Sequence, residues 1–311
     1  MEFKNDVLQG LRALPKTLPS RYFYDAKGDV LFQHIMQVEE YYLPGCELEI
    51  IENQSKNLAN KLLNRSTNWN IIELGAGDGT KTINLLRCLQ QSGVNAEYTA
   101  LDISPNVLEI NKENVLEELP QTAFQAVPGN YYHTFYDIPK NGSHNLILYM
   151  GSNIGNYDNV GAQIFLHWLR NGMNSQDYAL VAFDLKKHPQ TILKAYNDSK
   201  GYTKAFNLNL LERINRELGA NFNLEQFDHY PYYEPVTGTA YSFVLSLADQ
   251  EVDVAGESFH FDKYEVIHTE ISKKYSLTEI EALSKAADFA VVDHFLDQQH
   301  YYSLSLLQPN G

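Results

Sequence analysis

The residues best suited to chemistry in this sequence stand at the ends of two apolar runs. The first run ends near an acidic residue and leads into three spaced glycines, namely Glu73, Gly75, Gly77 and Gly79. This pattern predicts a buried strand followed by a tight turn in which a ligand can touch bare backbone. The second run ends in Asp102, where a carboxylate could accept hydrogen bonds from ribose hydroxyls. Together the two runs predict a nucleoside-bearing cofactor.

The spacing around the glycines narrows the choice of cofactor. Thr80 stands where the dinucleotide fingerprint needs a small residue and where the phosphate-binding P-loop needs glycine before its lysine. Neither phosphate motif therefore matches. The acidic residue before the glycines and the later Asp102 instead resemble the first two motifs of class I S-adenosylmethionine-dependent methyltransferases. A turn without function is the alternative interpretation, and the paired Asp102 strand disfavours it.

Composition excludes several classes of protein. The 311 residues are 44% hydrophobic and 20% charged, which indicates a folded core with a second lobe. A formal net charge of −15 without a Lys/Arg run argues against nucleic-acid partners. No apolar stretch reaches membrane-spanning length and no secretory signal opens the chain, so we expect a cytoplasmic protein without membrane contact. We also expect a monomer. Cys46 and Cys88 lack zinc spacing, which predicts reduced thiols and no metal site.

Alternating strand and helix patterns predict a doubly wound α/β fold. Beyond the two runs above, the predicted strands are 124–127, 145–150 and 179–183, and the predicted helices are 80–91, 105–119 and 164–169. A capping box at Ser276 and Glu279 predicts a helix through residue 287, followed by strands at 290–296 and 301–307. A parallel sheet that ends in an antiparallel hairpin is typical of class I methyltransferases.

Two regions fall outside this sheet and predict a second, smaller α+β lobe. We assign residues 51–187 and 273–311 to the cofactor-binding core, and residues 1–50 and 188–272 to a substrate-binding lobe. Within that lobe the patterns predict helices at 191–197 and 210–218 and strands at 241–247 and 258–261. An insertion at this point would cover the carboxyl ends of the strands, as a substrate lid does.

Motifs along nearly the whole chain resemble one family. They are 18–28 (LPSRYFYDAKG), 40–42 (EYY), 151–156 (GSNIGN), 206–209 (FNLN), 214–219 (INRELG) and 269–272 (TEIS). In this order they are similar to the histidine Nα-methyltransferases of ergothioneine biosynthesis. The resemblance implies an S-adenosylmethionine-dependent enzyme that converts L-histidine to its Nα-trimethyl betaine, hercynine, through successive methyl transfers.

The resemblance also implies site residues. The cofactor would contact Gly75, Lys81, Asp102, Asn130 and Tyr131, and the amino acid would contact Tyr24, Tyr41, Asn156, Tyr196, Glu270 and Ser272. Within these sets, Asp102 would hold the ribose, and Glu270 with Ser272 would hold the imidazole. No residue of the matched motifs is an obvious general base, so no catalytic residue is assigned.

Two departures from the family leave alternatives open. Asn130 replaces an aspartate, which weakens the expected contact with an adenine amine. Residues 241–243 (YSF) replace a Glu-Met pair, which is expected to change the wall of the side-chain pocket. The alternatives are a methyltransferase of another amino acid or small amine, a nicotinamide oxidoreductase, and a cofactor-binding module without catalysis.

Overall fold

The computed structural model describes residues 1–138 and 144–310. Residues 139–143 and 311, which belong to the predicted core, lie outside the described residues. The chain divides into a smaller unit, Met1–Tyr42 with Lys187–Lys274, and a larger unit, Leu43–Lys186 with Tyr275–Gly311. The first boundary falls at residue 43, whereas the sequence places it near 50, because Leu43–Leu63 is one continuous helix.

The elements are numbered here in chain order. The α-helices are α1 Glu2–Arg12, α2 Ala26–Ile35, α3 Leu43–Leu63, α4 Thr80–Gln91, α5 Pro105–Glu118, α6 Tyr131–Thr134, α7 Asn159–Asn171, α8 Pro189–Ala195, α9 Tyr202–Leu218 and α10 Leu277–Ala286. The strands are β1 Lys16–Thr17, β2 Asn68–Leu74, β3 Asn95–Asp102, β4 Phe124–Pro128, β5 His144–Tyr149, β6 Tyr178–Asp184, β7 Phe227–Glu234, β8 Thr239–Ser246, β9 Gln250–Val254, β10 Glu257–Phe261, β11 Val266–Lys273, β12 Phe289–Leu296 and β13 Tyr302–Pro309.

The larger unit is built on a seven-stranded sheet in the order β12-β13-β6-β5-β2-β3-β4. Strands β2 to β6 pair in parallel, whereas β13 is antiparallel to both β6 and β12. This confirms the predicted α/β class with its antiparallel C-terminal hairpin. Helix α4 has the predicted bounds, and the capping box of Ser276 and Glu279 forms at the start of α10.

The strand register brings the candidate cofactor residues to one edge of this sheet. Leu74 at the end of β2 pairs with Leu101 of β3, and Asp102 pairs with Pro128 at the end of β4. Because parallel strands end at the same edge, the segments that follow β2, β3 and β4 begin side by side. The glycine turn, Asp102 and Asn130 therefore share the carboxyl edge of the sheet.

The smaller unit contains a four-stranded sheet in the order β1-β11-β8-β7 and a separate β9–β10 hairpin. Helix α9 packs on the sheet with buried Phe206, Leu210 and Ile214, and these residues share a hydrophobic core with Val244 and Ile267. The pairing of β11 with β8 is interrupted by a β-bulge between residues 268 and 270. A bulge changes the direction in which the following side chains project.

Three findings concern the described residues as a whole. None of their helices is both long and apolar enough to cross a membrane. In residues 1–138 and 144–310, no group of three or more metal-ligating side chains is placed to hold an ion. Within the described residues, neither the buried Cys46 nor the partly buried Cys88 forms a disulfide, as predicted.

Candidate functional site

The glycine turn after β2 leaves bare backbone open to a ligand. Gly75, Gly77 and Gly79 have φ values of +73°, +54° and +76°, which residues with a Cβ rarely adopt. A Cβ built on Gly75 or Gly77 would meet no atom within 4 Å, so space lies beside both residues. Helix α4 begins directly after the turn and directs its N-terminus toward it. The turn therefore fits a cofactor that approaches the main chain closely.

Asp102 is fixed beside this turn by two backbone amides. Its Oδ2 accepts a hydrogen bond from the Gly77 amide at 3.1 Å, and its Oδ1 accepts one from the Ser104 amide at 3.0 Å. Each carboxylate oxygen keeps a second lone pair. The residue predicted to hold a ribose is therefore oriented and retains the capacity to accept two further hydroxyls.

A buried polar cluster supports the turn from below. Glu73 accepts hydrogen bonds from Tyr98 at 2.5 Å and from Thr82 at 2.8 Å, and burial raises the pKa of Glu73 to about 7. Asn111, also buried, donates from Nδ2 to the Gly77 carbonyl at 2.9 Å. These side chains fix the shape of the turn. Asn111 was not identified from the sequence, because a polar residue in α5 ordinarily faces solvent.

Lys81 forms an ion pair with Glu47, a fully buried residue of α3. The same carboxylate accepts hydrogen bonds from the Gly151 amide at 2.7 Å and from the Tyr302 hydroxyl at 2.9 Å. Glu47 thereby ties the predicted cofactor lysine to the turn that follows β5. No sequence pattern predicts the role of Glu47, since the residues that surround it come from three distant parts of the chain.

Asn130 and Tyr131 begin α6 at the same sheet edge. The Asn130 side chain caps this helix by accepting a hydrogen bond from the Tyr132 amide at 3.0 Å. An aspartate would make the same cap, so the replacement of the family's aspartate by Asn130 preserves the local structure. The Tyr131 ring packs against Tyr149 and Trp168, with centroids 6.3 and 6.0 Å apart.

Asn156, predicted to bind the amino acid, ends the 3₁₀ turn Asn153–Asn156 in the larger unit. The turn follows β5, and the side chain of Asn156 is exposed. The Ser152 hydroxyl accepts a hydrogen bond from the Asp184 amide at 2.9 Å, which anchors the start of the turn to the end of β6. An exposed carboxamide on an anchored turn is suited to contact a polar ligand.

In the smaller unit, the bulge in β11 directs Glu270 to the buried face of the sheet. His268 pairs with Phe243, whereas Glu270 pairs with Ser242 and Ser272 pairs with Ala240. Because paired residues project from the same face, Glu270 and Ser272 share the inner face with Ser242. The Glu270 carboxylate makes no hydrogen bond or ion pair with the residues that the structure describes. Although the residue is only partly buried, desolvation raises its pKa to about 7.

The same register corrects the expectation for residues 241–243. Tyr241 and Phe243 lie on the outer face, where their rings stack on each other and tilt against His268. Only Ser242, which is buried, shares the face of Glu270. The expected change in the pocket wall therefore concerns Ser242, since alternation along β8 directs the rings of Tyr241 and Phe243 away from the face of Glu270.

Tyr24 and Tyr41 surround one aromatic ring of α2. Both contact Phe32 edge-on, with ring centroids 5.6 and 6.4 Å apart. Although 47% of the surface of Tyr24 is exposed, its hydroxyl is desolvated and faces the negative charge of Glu270, and both effects raise its pKa. Tyr24 is therefore a neutral phenol at physiological pH. Tyr41 also packs against the cluster that contains Tyr196.

Tyr196 and Ser272 are joined by a hydrogen bond of 2.7 Å between their hydroxyl oxygens. Both residues are buried, and the amino group of Lys274 lies 2.6 Å from the Tyr196 hydroxyl and 2.8 Å from Ser272 Oγ. The structure thus groups four predicted residues of the smaller unit, Tyr24, Tyr196, Glu270 and Ser272. Lys274 was not identified from the sequence.

Several motif residues outside the predicted site stabilise the segment that carries Tyr24. Asp25 caps α2 through the Gly28 amide at 2.8 Å, accepts a hydrogen bond from Asn209 at 2.9 Å and pairs with Arg216. These residues belong to the motifs at 18–28, 206–209 and 214–219. Some residues of the matched motifs therefore stabilise the fold and do not need to contact a ligand.

A parallel sheet with an antiparallel hairpin, a glycine turn and a carboxylate at the next strand end define a class I methyltransferase core. The profile of the family "histidine-specific methyltransferase, SAM-dependent" matches residues 3–309. The chain belongs to this family of S-adenosylmethionine-dependent enzymes, which confirms the resemblance found in the sequence. The glycine turn, with its open backbone beside an oriented Asp102, fits that cofactor.

Curated relatives agree with this assignment. Histidine N-alpha-methyltransferase of Mycobacterium tuberculosis is 30% identical over 98% of this chain and 94% of its own length. Ergothioneine biosynthesis protein 1 of Schizosaccharomyces pombe is 30% identical over 89% of this chain and 37% of its own length. A 4-dimethylallyltryptophan N-methyltransferase of Claviceps fusiformis is 30% identical over 63% of this chain and 57% of its own length.

Proposed function

We propose that this protein methylates the α-amine of L-histidine and, in three rounds, produces the trimethyl betaine hercynine. The observation that carries the proposal is the pair formed by Glu270 and Ser272 on the inner face of β11. Among the described residues the Glu270 carboxylate accepts no hydrogen bond, and such a carboxylate beside a hydroxyl is suited to the two ring nitrogens of an imidazole. The named activity of the mycobacterial relative supports the same substrate.

In this proposal the two ends of histidine are held by different chemistry. Tyr24, Tyr41, Tyr196 and Asn156 bind the amino acid's carboxylate and amine by hydrogen bonds, without adding a charge. The raised pKa of Tyr24 supports this role, since a phenol that stays protonated donates a hydrogen bond without becoming an anion. Glu270 accepts a hydrogen bond from the imidazole N–H, which selects histidine over amino acids without a ring donor.

The cofactor residues have separate tasks. Asp102 holds the ribose hydroxyls, Asn130 contacts the adenine amine, and Lys81 is kept in place by Glu47. When bound, S-adenosylmethionine supplies a methyl group on a positively charged sulfur. The chain's contribution is to orient the acceptor nitrogen, because alignment rather than covalent catalysis lowers the barrier of such a transfer. The ammonium must lose its proton first, and the neutral phenols and carboxamide leave that proton to water.

Turnover with a panel of acceptors tests the proposal. S-adenosylmethionine is incubated with the protein and L-histidine, L-tryptophan, L-tyrosine or L-phenylalanine, and both S-adenosylhomocysteine and methylated products are measured by mass spectrometry. We expect mono-, di- and trimethylhistidine to appear in sequence, with the other amino acids inactive. Cofactor turnover with another amino acid but not with histidine would overturn the histidine assignment while leaving the class intact.

A larger aromatic amino acid is the second candidate. The similarity to a 4-dimethylallyltryptophan N-methyltransferase supports it, and so does the small Ser242 beside Glu270 on the inner face of the sheet. An indole has one ring N–H but no acceptor nitrogen. Glu270 could bind it, whereas Ser272 would gain no partner, so comparison of histidine with tryptophan in the panel separates the two candidates.

A further inference from the structure

Lys274 is a fully buried lysine directly after β11, and none of the matched motifs includes it. Its ammonium donates to the Tyr196 hydroxyl at 2.6 Å and to Ser272 Oγ at 2.8 Å. It also lies 4.7 Å from the centroid of the Tyr196 ring. Lysine is seldom fully buried, because removing an ammonium from water is costly unless partners compensate. A lysine retained here beside two predicted site residues requires a reason.

The hydrogen bonds around Ser272 determine whether its hydroxyl can donate to a ligand or accept from one. An ammonium can only donate, so Ser272 Oγ accepts from Lys274. The more acidic phenol of Tyr196 donates to the same oxygen at 2.7 Å. Two donors fill both lone pairs of the serine oxygen. The serine proton, which has no acceptor within the described part of the chain, is left to donate to a ligand.

The protonation state of Glu270 determines whether its carboxyl group donates or accepts hydrogen bonds. Desolvation raises the pKa of Glu270 to about 7, the positive charge of Lys274 opposes part of that effect, and the carboxylate is therefore mostly ionised at about pH 8. An ionised carboxylate only accepts hydrogen bonds. Glu270 and Ser272 are two residues apart on one strand, a spacing of about 7 Å that leaves room for a five-membered ring between an acceptor and a donor.

We propose that Lys274 is a positioning residue that gives the ring site one donor, Ser272, and one acceptor, Glu270. The site then takes a neutral ring that presents one unprotonated nitrogen to Ser272 and one N–H to Glu270. This inference rests on the proposed function, because it concerns how the site recognises the imidazole ring by hydrogen bonds. It adds that the site selects one tautomer of the ring, and that an imidazolium, with two donors, is rejected by Ser272.

The first test compares two neighbouring buried lysines, Lys273 at the end of β11 and Lys274 directly after it. Lys274→Met removes the donor to Ser272, whereas Lys273→Met removes a buried lysine that donates to the Thr237 carbonyl at 2.8 Å instead. Affinities for L-histidine are measured by calorimetry in saturating S-adenosylhomocysteine, and the affinity for S-adenosylhomocysteine is measured alone. We expect Lys274→Met to weaken histidine binding about 10- to 100-fold. Lys273→Met should change it less than threefold, and both variants should bind S-adenosylhomocysteine as the wild type does.

The second test observes the ring directly. L-histidine labelled with ¹⁵N in the ring is bound to the wild type with S-adenosylhomocysteine at about pH 8, above the ordinary imidazole pKa near 6.5. Nitrogen NMR should show one protonated and one unprotonated nitrogen, that is, a single tautomer. In Lys274→Met the serine can accept as well as donate, and Glu270 loses the charge that favours its ionised form, so both tautomers can bind and the two nitrogens should become averaged. A purely structural lysine would not alter this pattern.

The outcomes separate this inference from the proposed function. A wild type that does not bind histidine overturns the proposed function and the inference with it. A wild type that binds histidine, together with a folded Lys274→Met variant of equal affinity and the same tautomer, overturns the inference alone. If Lys274→Met fails to fold, Ser272→Ala serves instead, and an unchanged single tautomer in that variant contradicts the donor role of Ser272.

Discussion

At the scale of single residues, Glu270 lies where folding alone would not place it. Burial of its carboxylate raises its pKa from 4.5 to about 7, and the nearby charge of Lys274 offsets only part of this effect. A carboxyl whose pKa is higher in the folded state binds protons more tightly after folding. Such a group lowers stability as the pH rises from the unfolded pKa through the folded pKa. Retaining Glu270 therefore lowers stability at neutral pH, as expected of a residue kept for binding.

Glu270→Gln should reveal this cost. The amide cannot ionise, so the variant avoids burying a charge above pH 7. We expect its free energy of unfolding at pH 8 to exceed that of the wild type by about 1–3 kcal/mol, the pKa shift converted and reduced for partial exposure. At pH 4.5 the two proteins should be nearly equal, because the wild-type carboxyl is then protonated when folded. Urea unfolding at several pH values measures the difference.

The same variant should bind histidine more weakly. Loss of a charge-assisted hydrogen bond to the imidazole predicts an affinity about tenfold lower, with the affinity for S-adenosylhomocysteine unchanged. A Glu270→Gln protein that is less stable at pH 8, or that binds histidine normally, would contradict the assignment of Glu270 as a ligand-facing carboxylate.

The sequence predicted the candidate ligand-binding residues better than the buried residues that hold them in place. Residues such as Glu270 and Tyr24 were predicted because they stand in the contiguous motifs 269–272 and 18–28. Glu47 and Lys274 were missed because charged residues ordinarily face water, and only tertiary contacts reveal their burial. Glu47, for example, interacts with Lys81, Gly151 and Tyr302, which are far apart in the chain.

At the scale of elements, the segment from the 3₁₀ turn Ser20–Phe23 into α2 positions Tyr24. Gly28 allows this turn to pack against the first turn of the helix, since a Cβ at this position would lie 1.9 Å from the Phe23 carbonyl oxygen. The neighbouring atom belongs to the backbone and cannot move alone. The segment that positions Tyr24 therefore requires glycine, a residue without a Cβ, at position 28.

Gly28→Ala should distort this element, and Gly45→Ala provides a matched control. Gly45 lies in α3, and a Cβ there would meet no atom within 4 Å. We expect Gly28→Ala to reduce the free energy of unfolding by about 1–3 kcal/mol and to weaken histidine binding through Tyr24. Gly45→Ala should raise stability by about 0.5–1 kcal/mol, because alanine favours the helix. Equal effects of the two substitutions would contradict this account.

The elements that the sequence did not predict have identifiable physical causes. Strand β7 contains Pro231, which a central strand excludes but an edge strand tolerates, and β7 lies at the edge of its sheet. Strand β11 loses its alternation at the bulge between His268 and Glu270. By contrast, β5 and β6 are buried and continuously apolar, and both were predicted.

At the scale of the whole molecule, each of the two units has hydrophobic clusters of its own among the described residues. One cluster fills the larger unit around buried residues such as Phe165 and Phe183, and another fills the smaller unit around Phe23 and Phe261. The sheet of the larger unit was predicted from contiguous apolar strands, and its class is confirmed by the strand order and by the family match. The assignment of cofactor and substrate to separate lobes stays a prediction.

The net charge of −15 acts on ligands over a longer range than any single contact. S-adenosylmethionine carries a net charge of about +1 at neutral pH, from its sulfonium, ammonium and carboxylate, whereas S-adenosylhomocysteine is neutral overall. The acidic protein should therefore attract the methyl donor more than the spent cofactor. Salt screens this attraction, since the Debye length falls from about 30 Å at 0.01 M to about 8 Å at 0.15 M ionic strength.

Raising the salt concentration should therefore weaken S-adenosylmethionine binding selectively. Between about 0.01 and 0.15 M salt we expect its Kd to rise about two- to fivefold, while the Kd of S-adenosylhomocysteine stays within experimental error. Calorimetric titration of both ligands without an acceptor amino acid measures this, and the neutral ligand is the control for general effects of salt on the fold. Equal responses of the two ligands would show that local contacts such as Asp102, rather than the charge of the whole molecule, distinguish donor from product.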